Sequence, residues 1–229
     1  MAGNSNKRNI PICIFAKPPV AGHVKTRLAA AIGAGAAAEL AAAMLSDTWA
    51  TIVSTPGADA VLAVTEDGEF PRVVRTGTRW LQGEGDLGAR LERILRRGIE
   101  RAGAAIAVGA DSPLLSSDHL ASGIALLTTE DAVIGPALDG GYYLLGLRAC
   151  PPGMLADLRW STPETRERTE ERLRQRGMSV RQLEPLPDVD VAEDLLTLIE
   201  ELGASSAHAP HTRQWIAKYA PILGGISVG

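Results

Sequence analysis

Three clusters of charged residues in this 229-residue sequence have the types and spacing to hold a polyphosphate. In Lys17-Pro-Pro-Val-Ala-Gly22-His-Val-Lys25-Thr26-Arg27-Leu28, three fixed cations fall within eleven residues. Gly22 lets the backbone turn sharply or approach a ligand, and a helix starting there would offer free amide N–H groups to an anion. This is not a Walker A loop, because Val24 stands where that motif needs glycine before the lysine. Solvated lysines beside a proline turn are the plainer reading, but the strand-loop-helix context favours phosphate binding. The second cluster is Gly109-Ala-Asp111-Ser-Pro113. A carboxylate at a strand tip suits Mg²⁺ or Mn²⁺, hard cations that prefer oxygen ligands, although Asp111 could also serve a turn or helix cap. The third is Leu186-Pro-Asp188-Val-Asp190-Val-Ala-Glu193-Asp194-Leu. Alternation places Asp188 and Asp190 on one side of an extended segment, with Asp190 able to complete a metal site with Asp111. The competing role for Asp190 is to cap the next helix, with Glu193 closing a capping box.

The elements needed to position these clusters alternate between apolar strand and helix, the order of an α/β sheet. Strands are expected at Ile10–Ala16, Ala60–Thr65, Arg79–Gln82, Ala104–Val108, Ala132–Leu138, Tyr142–Leu147 and Ser179–Leu183. The run Ala104–Val108 is continuously apolar, as a buried central strand should be. Helices are expected from about Lys25 to Val53 with a break near Gly33, then over Leu87–Ile99, Asp118–Leu127, Pro163–Arg176, Val191–Leu202 and Thr212–Tyr219. Both binding loops would follow strands, and open α/β sheets bind ligands outside the carboxyl ends of their strands. We expect one domain over 1–203 and a tail over 204–229 with its own helix. That tail could pack on the body, cover the site or join a second copy of the chain in a homodimer.

Composition narrows the function classes. Apolar residues make up 45% of the chain, enough for one sizeable core. A net charge of −4 argues against a dedicated nucleic-acid binder. No apolar run reaches the roughly 18–20 residues of a membrane span, and the polar segment Met1–Asn9 does not read as a secretory signal. Cys13 and Cys150 form neither a disulfide framework nor a metal cluster, so a cytoplasmic protein with two reduced thiols is expected. His208 and His211 read as exposed histidines rather than a zinc site. The arginines from Arg90 to Arg101 read as a solvated helix face, and Trp160 as a packed or pocket-edge aromatic.

Six blocks in order resemble a bacterial family of glycosyltransferase-A-like transferases, sometimes labelled arsenosugar-biosynthesis-type, within the nucleotide-diphospho-sugar transferase superfamily. They are Phe15-Ala16-Lys17 with Gly22-His-Val-Lys25-Thr26-Arg27-Leu, Gln82-Gly-Glu-Gly-Asp86-Leu-Gly88, Gly109-Ala-Asp111-Ser-Pro113-Leu, Gly135-Pro-Ala-Leu-Asp139-Gly140-Gly141-Tyr142-Tyr, Trp160-Ser161-Thr162 and Asp188-Val-Asp190-Val-Ala-Glu-Asp194-Leu. The resemblance covers residues 10 to 200 and implies a three-layer sandwich, a mostly parallel mixed sheet with helices on both faces. It puts the nucleotide across the amino-terminal half. Phe15, Ala16, Lys17, Gly22, Lys25, Thr26 and Arg27 would form the phosphate loop, similar to that of cofactor guanylyltransferases. Gln82, Asp86 and Gly88 would contact base or ribose, and Asp139, Gly140, Gly141 and Tyr142 would line the acceptor pocket. Asp111 takes the place of the first acid of the Asp-x-Asp signature, while Pro113 stands at its last.

The leading expectation is nucleotidyl transfer to a small phosphorylated or carboxylate acceptor. Asp111 and Asp190 would hold the metal, while Lys25 and Arg27 would stabilise departing pyrophosphate. Three cations suit a triphosphate. The alternatives are glycosyl transfer from a nucleotide sugar and a module that senses nucleotide without turnover.

Overall fold

The structure is a computed structural model that describes residues 8–204 and 208–223. Most of the polar segment Met1–Asn9 and parts of the 204–229 tail lie outside those residues. In chain order the elements are β1 (Ile10–Ala16), α1 (Thr26–Ile32), α2 (Ala34–Ser54), β2 (Ala58–Val64), β3 (Thr78–Leu81), α3 (Leu87–Ala102), β4 (Ala105–Val108), α4 (Ser117–Leu126), β5 (Ala132–Pro136), β6 (Tyr142–Leu147), α5 (Thr165–Gln175), β7 (Val180–Gln182), α6 (Ala192–Ala204) and α7 (Pro210–Leu223). Each expected strand and helix has a counterpart with ends offset by a few residues. A short 3₁₀ turn at Arg72–Val74 adds to the expected elements.

The seven strands form one sheet in the order β3-β2-β1-β4-β6-β5-β7. The pairs around β1, β2, β3 and β4 are parallel, as is β5 with β7, whereas β6 runs antiparallel to both of its neighbours. β4 lies fourth of the seven and is buried throughout, as its continuous apolar run requires.

Period-two alternation makes the layers. On β1, Ile12 and Ile14 face Leu45, Trp49 and Ile52 of α2 and Leu120 of α4. Between them Cys13 faces the other way, onto Ile94 of α3 and Trp80 of β3. That second face continues through Leu91 and Leu95 of α3 and Leu173 of α5, packed on Ala105, Ile134 and Leu145. The result is a three-layer α/β sandwich, a mixed sheet with helices on both faces. Cys13 and Cys150 are free and buried, and burial pushes both thiols above their ordinary pKa.

α2 is covered on both sides. Its outer side joins α1, α6 and α7 in a further core containing Leu28, Leu40, Met44, Leu198 and Trp215. The alanines of α2 follow from this, since Ala36 and Ala37 let Trp215 come close enough to donate from Nε1 to the Ala36 carbonyl at 3.0 Å. Buried Asp47 of α2 accepts from the backbone amides of His211 and Thr212 at 3.0 and 2.8 Å. It thereby caps α7 from another helix, and the His211 ring adds a 2.8 Å contact to the same carboxylate. The described part of the tail is therefore packed on the body. Among the described residues no helix is long and apolar enough to cross a membrane.

Candidate functional site

Lys25, Asp111 and Asp190 meet at the carboxyl end of the sheet. The Lys25 ammonium lies 2.8 Å from one oxygen of Asp111 and 2.8 Å from one oxygen of Asp190. Three segments make the convergence. β1 delivers the loop that ends at Lys25, whose backbone holds a left-handed φ of 48° just before α1. For a side chain other than glycine this conformation is costly and tends to mark a constrained site. β4 delivers Asp111. The segment after β7 bridges in parallel to Ala137 through Leu186, and Val189 then donates its amide to the Asp111 carbonyl at 3.0 Å. That bond sets the next residue, Asp190, beside Asp111.

Helix capping leaves Asp190 free for this role. The Asp194 carboxylate accepts from the amides of both Asp190 and Val191, at 2.8 and 2.9 Å. Asp194, in the first turn of α6, thus reaches back to the two amides before the helix, while among the described residues no helix amide donates to the Asp190 side chain and Glu193 closes no box.

Electrostatics keep the lysine charged. Burial alone would lower its pKa, but Asp111 and Asp190 together outweigh burial and raise it. The Lys25 side chain is only 6% exposed, whereas the two carboxylates remain about half exposed. Their outer faces are open to a further cation or a ligand.

Two cavities share this corner. A groove of about 380 Å³ runs along the phosphate-loop side, lined by Phe15, Ala16, Lys17, His23, Lys25, Thr26, Gln82 and Arg90 together with Asp111 and Asp190. A second cavity, about 230 Å³, lies toward β6 and is lined by Asp139, Gly141, Tyr142, Trp160 and Asp188, again with Phe15 and Asp111. Asp188 and Asp190, expected on one side of their segment, thus serve neighbouring cavities.

The remaining candidates separate into those that line the groove and those that support it. Gln82 lines the groove but spends its amide nitrogen on the Ala63 carbonyl at 2.8 Å. Asp86 does not line it; its carboxylate caps α3 by accepting from the Ala89 amide at 2.8 Å. Gly88 is a packing position, because a Cβ there would lie 2.4 Å from the Leu155 carbonyl. Arg27 is exposed and outside both linings, so only two of the loop's three cations, Lys17 and Lys25, share the groove. Gly22 shapes the turn through a φ of 81° without lining either cavity. The helix that follows is only seven residues long, which leaves little macrodipole to aid an anion. At the second cavity, Asp139 accepts from the Gly141 amide at 2.7 Å. Gly140 has φ 91°, and a Cβ on it would come within 2.1 Å of the Pro163 carbonyl, so the loop can close only over glycine.

Comparison with known proteins bears on the family and the fold. The family model "Uncharacterized protein conserved in bacteria (DUF2064)" matches residues 39–162. The chain belongs to this family. Its structure is similar to a crystal structure from Desulfovibrio desulfuricans provisionally described as a nucleotide-diphospho-sugar transferase. The two share 25% identity and a TM-score of 0.87 over 97% of this chain and 100% of the other. More distant likenesses show the fold alone. One is the 4-diphosphocytidyl-2C-methyl-D-erythritol synthase of Anaerococcus prevotii, with 11% identity and a TM-score of 0.59 over 86% of this chain and 100% of the other. Another is a CMP:2-keto-3-deoxy-manno-octonic acid synthetase complexed with CTP, with 15% identity and a TM-score of 0.53 over 84% and 98%. No curated protein matches the chain.

Arg90 and His23 are groove residues that sequence reasoning misses. Arg90 reads as one of a row of solvated arginines, yet it is half-buried in the groove wall and its Nε is buried with no hydrogen-bond partner. One signal could have found it. Arg90 stands one turn after Leu87, at the start of a helix that follows a strand, and so near the carboxyl end of the sheet.

Asp111 and Asp190 fit a divalent ion. They are hard oxygen donors that already share one cation, and their other faces are exposed. No group of three or more His, Cys, Asp or Glu able to hold a metal occurs among the described residues. A metal here would therefore take its remaining ligands from water and donor phosphates, the usual way Mg²⁺ is held.

Proposed function

We propose that the chain is a metal-dependent transferase that takes a nucleotide sugar as donor and moves the sugar to an acceptor in the adjoining cavity. One observation carries the reading: Asp111 and Asp190 share a cation at the boundary between a groove lined by basic side chains and a second, cation-free cavity. Donor phosphates placed in the groove would meet Lys17, Lys25 and Arg90. The donor's reacting carbon would then lie toward Asp111, where the acceptor cavity opens.

Mg²⁺ or Mn²⁺ held by Asp111 and Asp190 would supply charge neutralisation for the departing diphosphate. Lys17 and Arg90 bind and orient the phosphates. Phe15 and Leu87 border both cavities. An acceptor oxygen bonds to the sugar C1 while the C1–O bond to the diphosphate breaks. The nucleoside diphosphate leaves with the electron pair, and the acceptor proton passes to a carboxylate of the cavity wall, Asp139 or Asp188. No protein nucleophile is needed.

Nucleotidyl transfer from a nucleoside triphosphate is the second reading, favoured by Arg90 restoring a third fixed cation to the groove. It stands second because the adjoining cavity has no cation to hold the phosphorylated or carboxylate acceptor that nucleotidyl transfer would use.

Thermal-shift measurements with nucleoside triphosphates and nucleotide sugars, with and without Mn²⁺, separate these readings through the linkage of binding to stability. We expect the largest stabilisation from a nucleotide sugar with metal, accompanied by release of nucleoside diphosphate. A larger response to a triphosphate, with pyrophosphate released, would make the second reading the first. Metal-independent binding without product would leave only a nucleotide sensor.

A further inference from the structure

The walls of the second cavity carry three negative charges and none positive. Of its lining side chains only Asp111, Asp139 and Asp188 are charged, with no lysine, arginine or histidine among them. Asp111 is neutralised by Lys25 on its groove side. Among the described residues Asp139 and Asp188 have no ion-pair partner, and the one polar contact shown for the Asp139 side chain is the Gly141 amide.

The rest of the wall is aromatic and hydroxylated. Tyr142 and Trp160 meet edge to face with centroids 6.4 Å apart, and Trp160 Nε1 is buried with no hydrogen-bond partner. Ser161, which also lines the cavity, is held at a left-handed φ of 57°, a strained conformation of the kind that persists at binding sites. Carboxylates accept hydrogen bonds and cannot donate them when ionised, so they suit a ligand rich in donors. Aromatic rings offer apolar faces to the C–H side of such a ligand. A phosphate or carboxylate would instead enter against two unpaired acids in a partly desolvated space, where like charges repel strongly.

We propose that this cavity binds an acceptor that presents hydroxyl groups and bears no negative charge, a sugar or polyol. The proposal rests on the transferase reading for the word acceptor, but the binding preference itself does not. It also replaces the phosphorylated or carboxylate acceptor expected from the sequence.

Ligand-observed NMR saturation transfer on the full chain with Mg²⁺ tests it, using matched probes that differ only in charge. These are glucose against glucose 1-phosphate and glucuronate, and glycerol against glycerol 3-phosphate. The uncharged member of a pair is expected to bind at least about tenfold better, because juxtaposed like charges in an interface cost enough to discriminate on that scale. Trp160→Ala should abolish its signal. In the Asp139→Asn/Asp188→Asn double variant the preference should shrink to within about threefold, because the charge is gone while the side-chain amide oxygen introduced at position 139 can still accept from Gly141. Stronger binding of the charged members by the wild-type chain, or no binding by any probe, overturns the proposal. Binding of uncharged probes without any nucleotide response would sink the donor assignment and leave the cavity assignment standing.

Discussion

The groove and the cavity share Phe15, Leu87 and Asp111 and differ in sign. Toward the first three strands the wall brings Lys17, Lys25 and Arg90; toward β6 it brings Asp139 and Asp188. The difference lies in which segments reach the carboxyl end of the sheet. The parallel half supplies a basic loop and the start of a helix, whereas the antiparallel β6 and the segment after β7 supply acids and aromatic rings. A polyphosphate and its partner would thus be sorted by charge before any specific contact forms, with Asp111 at the border.

Asp111→Asn should break that comparison most severely. It removes the one carboxylate common to both walls and half of the proposed metal pair. We expect turnover to fall by about 100-fold or more, the scale seen when a charge-stabilising group is lost, with little change in stability. Steady-state release of nucleoside diphosphate reads it. Unchanged turnover would mean the border residue is a spectator.

Lys25→Ala sharpens the same point from the other side. Asp111 and Asp190 would be left facing each other with no cation between them, at a cost of about 1–2 kcal/mol, reduced from a fully buried case because both acids are half exposed. A divalent ion should relieve that repulsion. Millimolar Mg²⁺ or Mn²⁺ is therefore expected to raise the melting temperature of the variant more than that of the wild type. Equal shifts would indicate that the two acids do not hold a metal.

Arg90→Ala tests the groove alone. Its expected effect is about a tenfold loss of donor affinity, as for a single charge-assisted hydrogen bond, with binding of uncharged acceptor probes unaltered. Titration calorimetry with the donor decides it, and a loss of acceptor binding as well would show that the two compartments are not independent.

The residues make clear why some of this arrangement is legible in the sequence. Strand periodicity, the glycine break at Gly33 and the apolar run of β4 report burial directly, and burial dictates the sheet. The convergence of Lys25, Asp111 and Asp190 can be anticipated because strand order brings loop ends to one edge. Side-chain assignments within a loop are harder. Asp190 reads equally as a cap and as a metal ligand, and only the backbone path, fixed by the Val189 amide on the Asp111 carbonyl, sets it beside Asp111. Arg27 looks like part of a cationic loop in one dimension, but Leu28 must be buried, and the turn that buries it leaves Arg27 outside. Arg90 is hidden by its neighbours, since a stripe of arginines carries no mark showing which one meets the groove.

The smallest expected effect concerns the acidic wall and depends on pH. Asp188 holds its proton more tightly in the folded chain than an ordinary aspartate does, at about 6 against 3.8, because of burial and then the Asp139 charge. Near pH 3 both folded and unfolded chains are protonated there and nothing is lost. As pH rises through the window between those values the folded state is progressively penalised, and above about 6 the penalty is complete. Asp188→Asn removes it. Because the side chain is only half-buried, we expect a gain of about 1 kcal/mol at pH 7.5 rather than the full equivalent of the shift. The gain should shrink at pH 4.5. Urea denaturation of wild type and variant at the two pH values measures the difference. An equal gain at both would mean that the stabilisation comes from packing, and that the cavity's negative field is weaker than its lining implies.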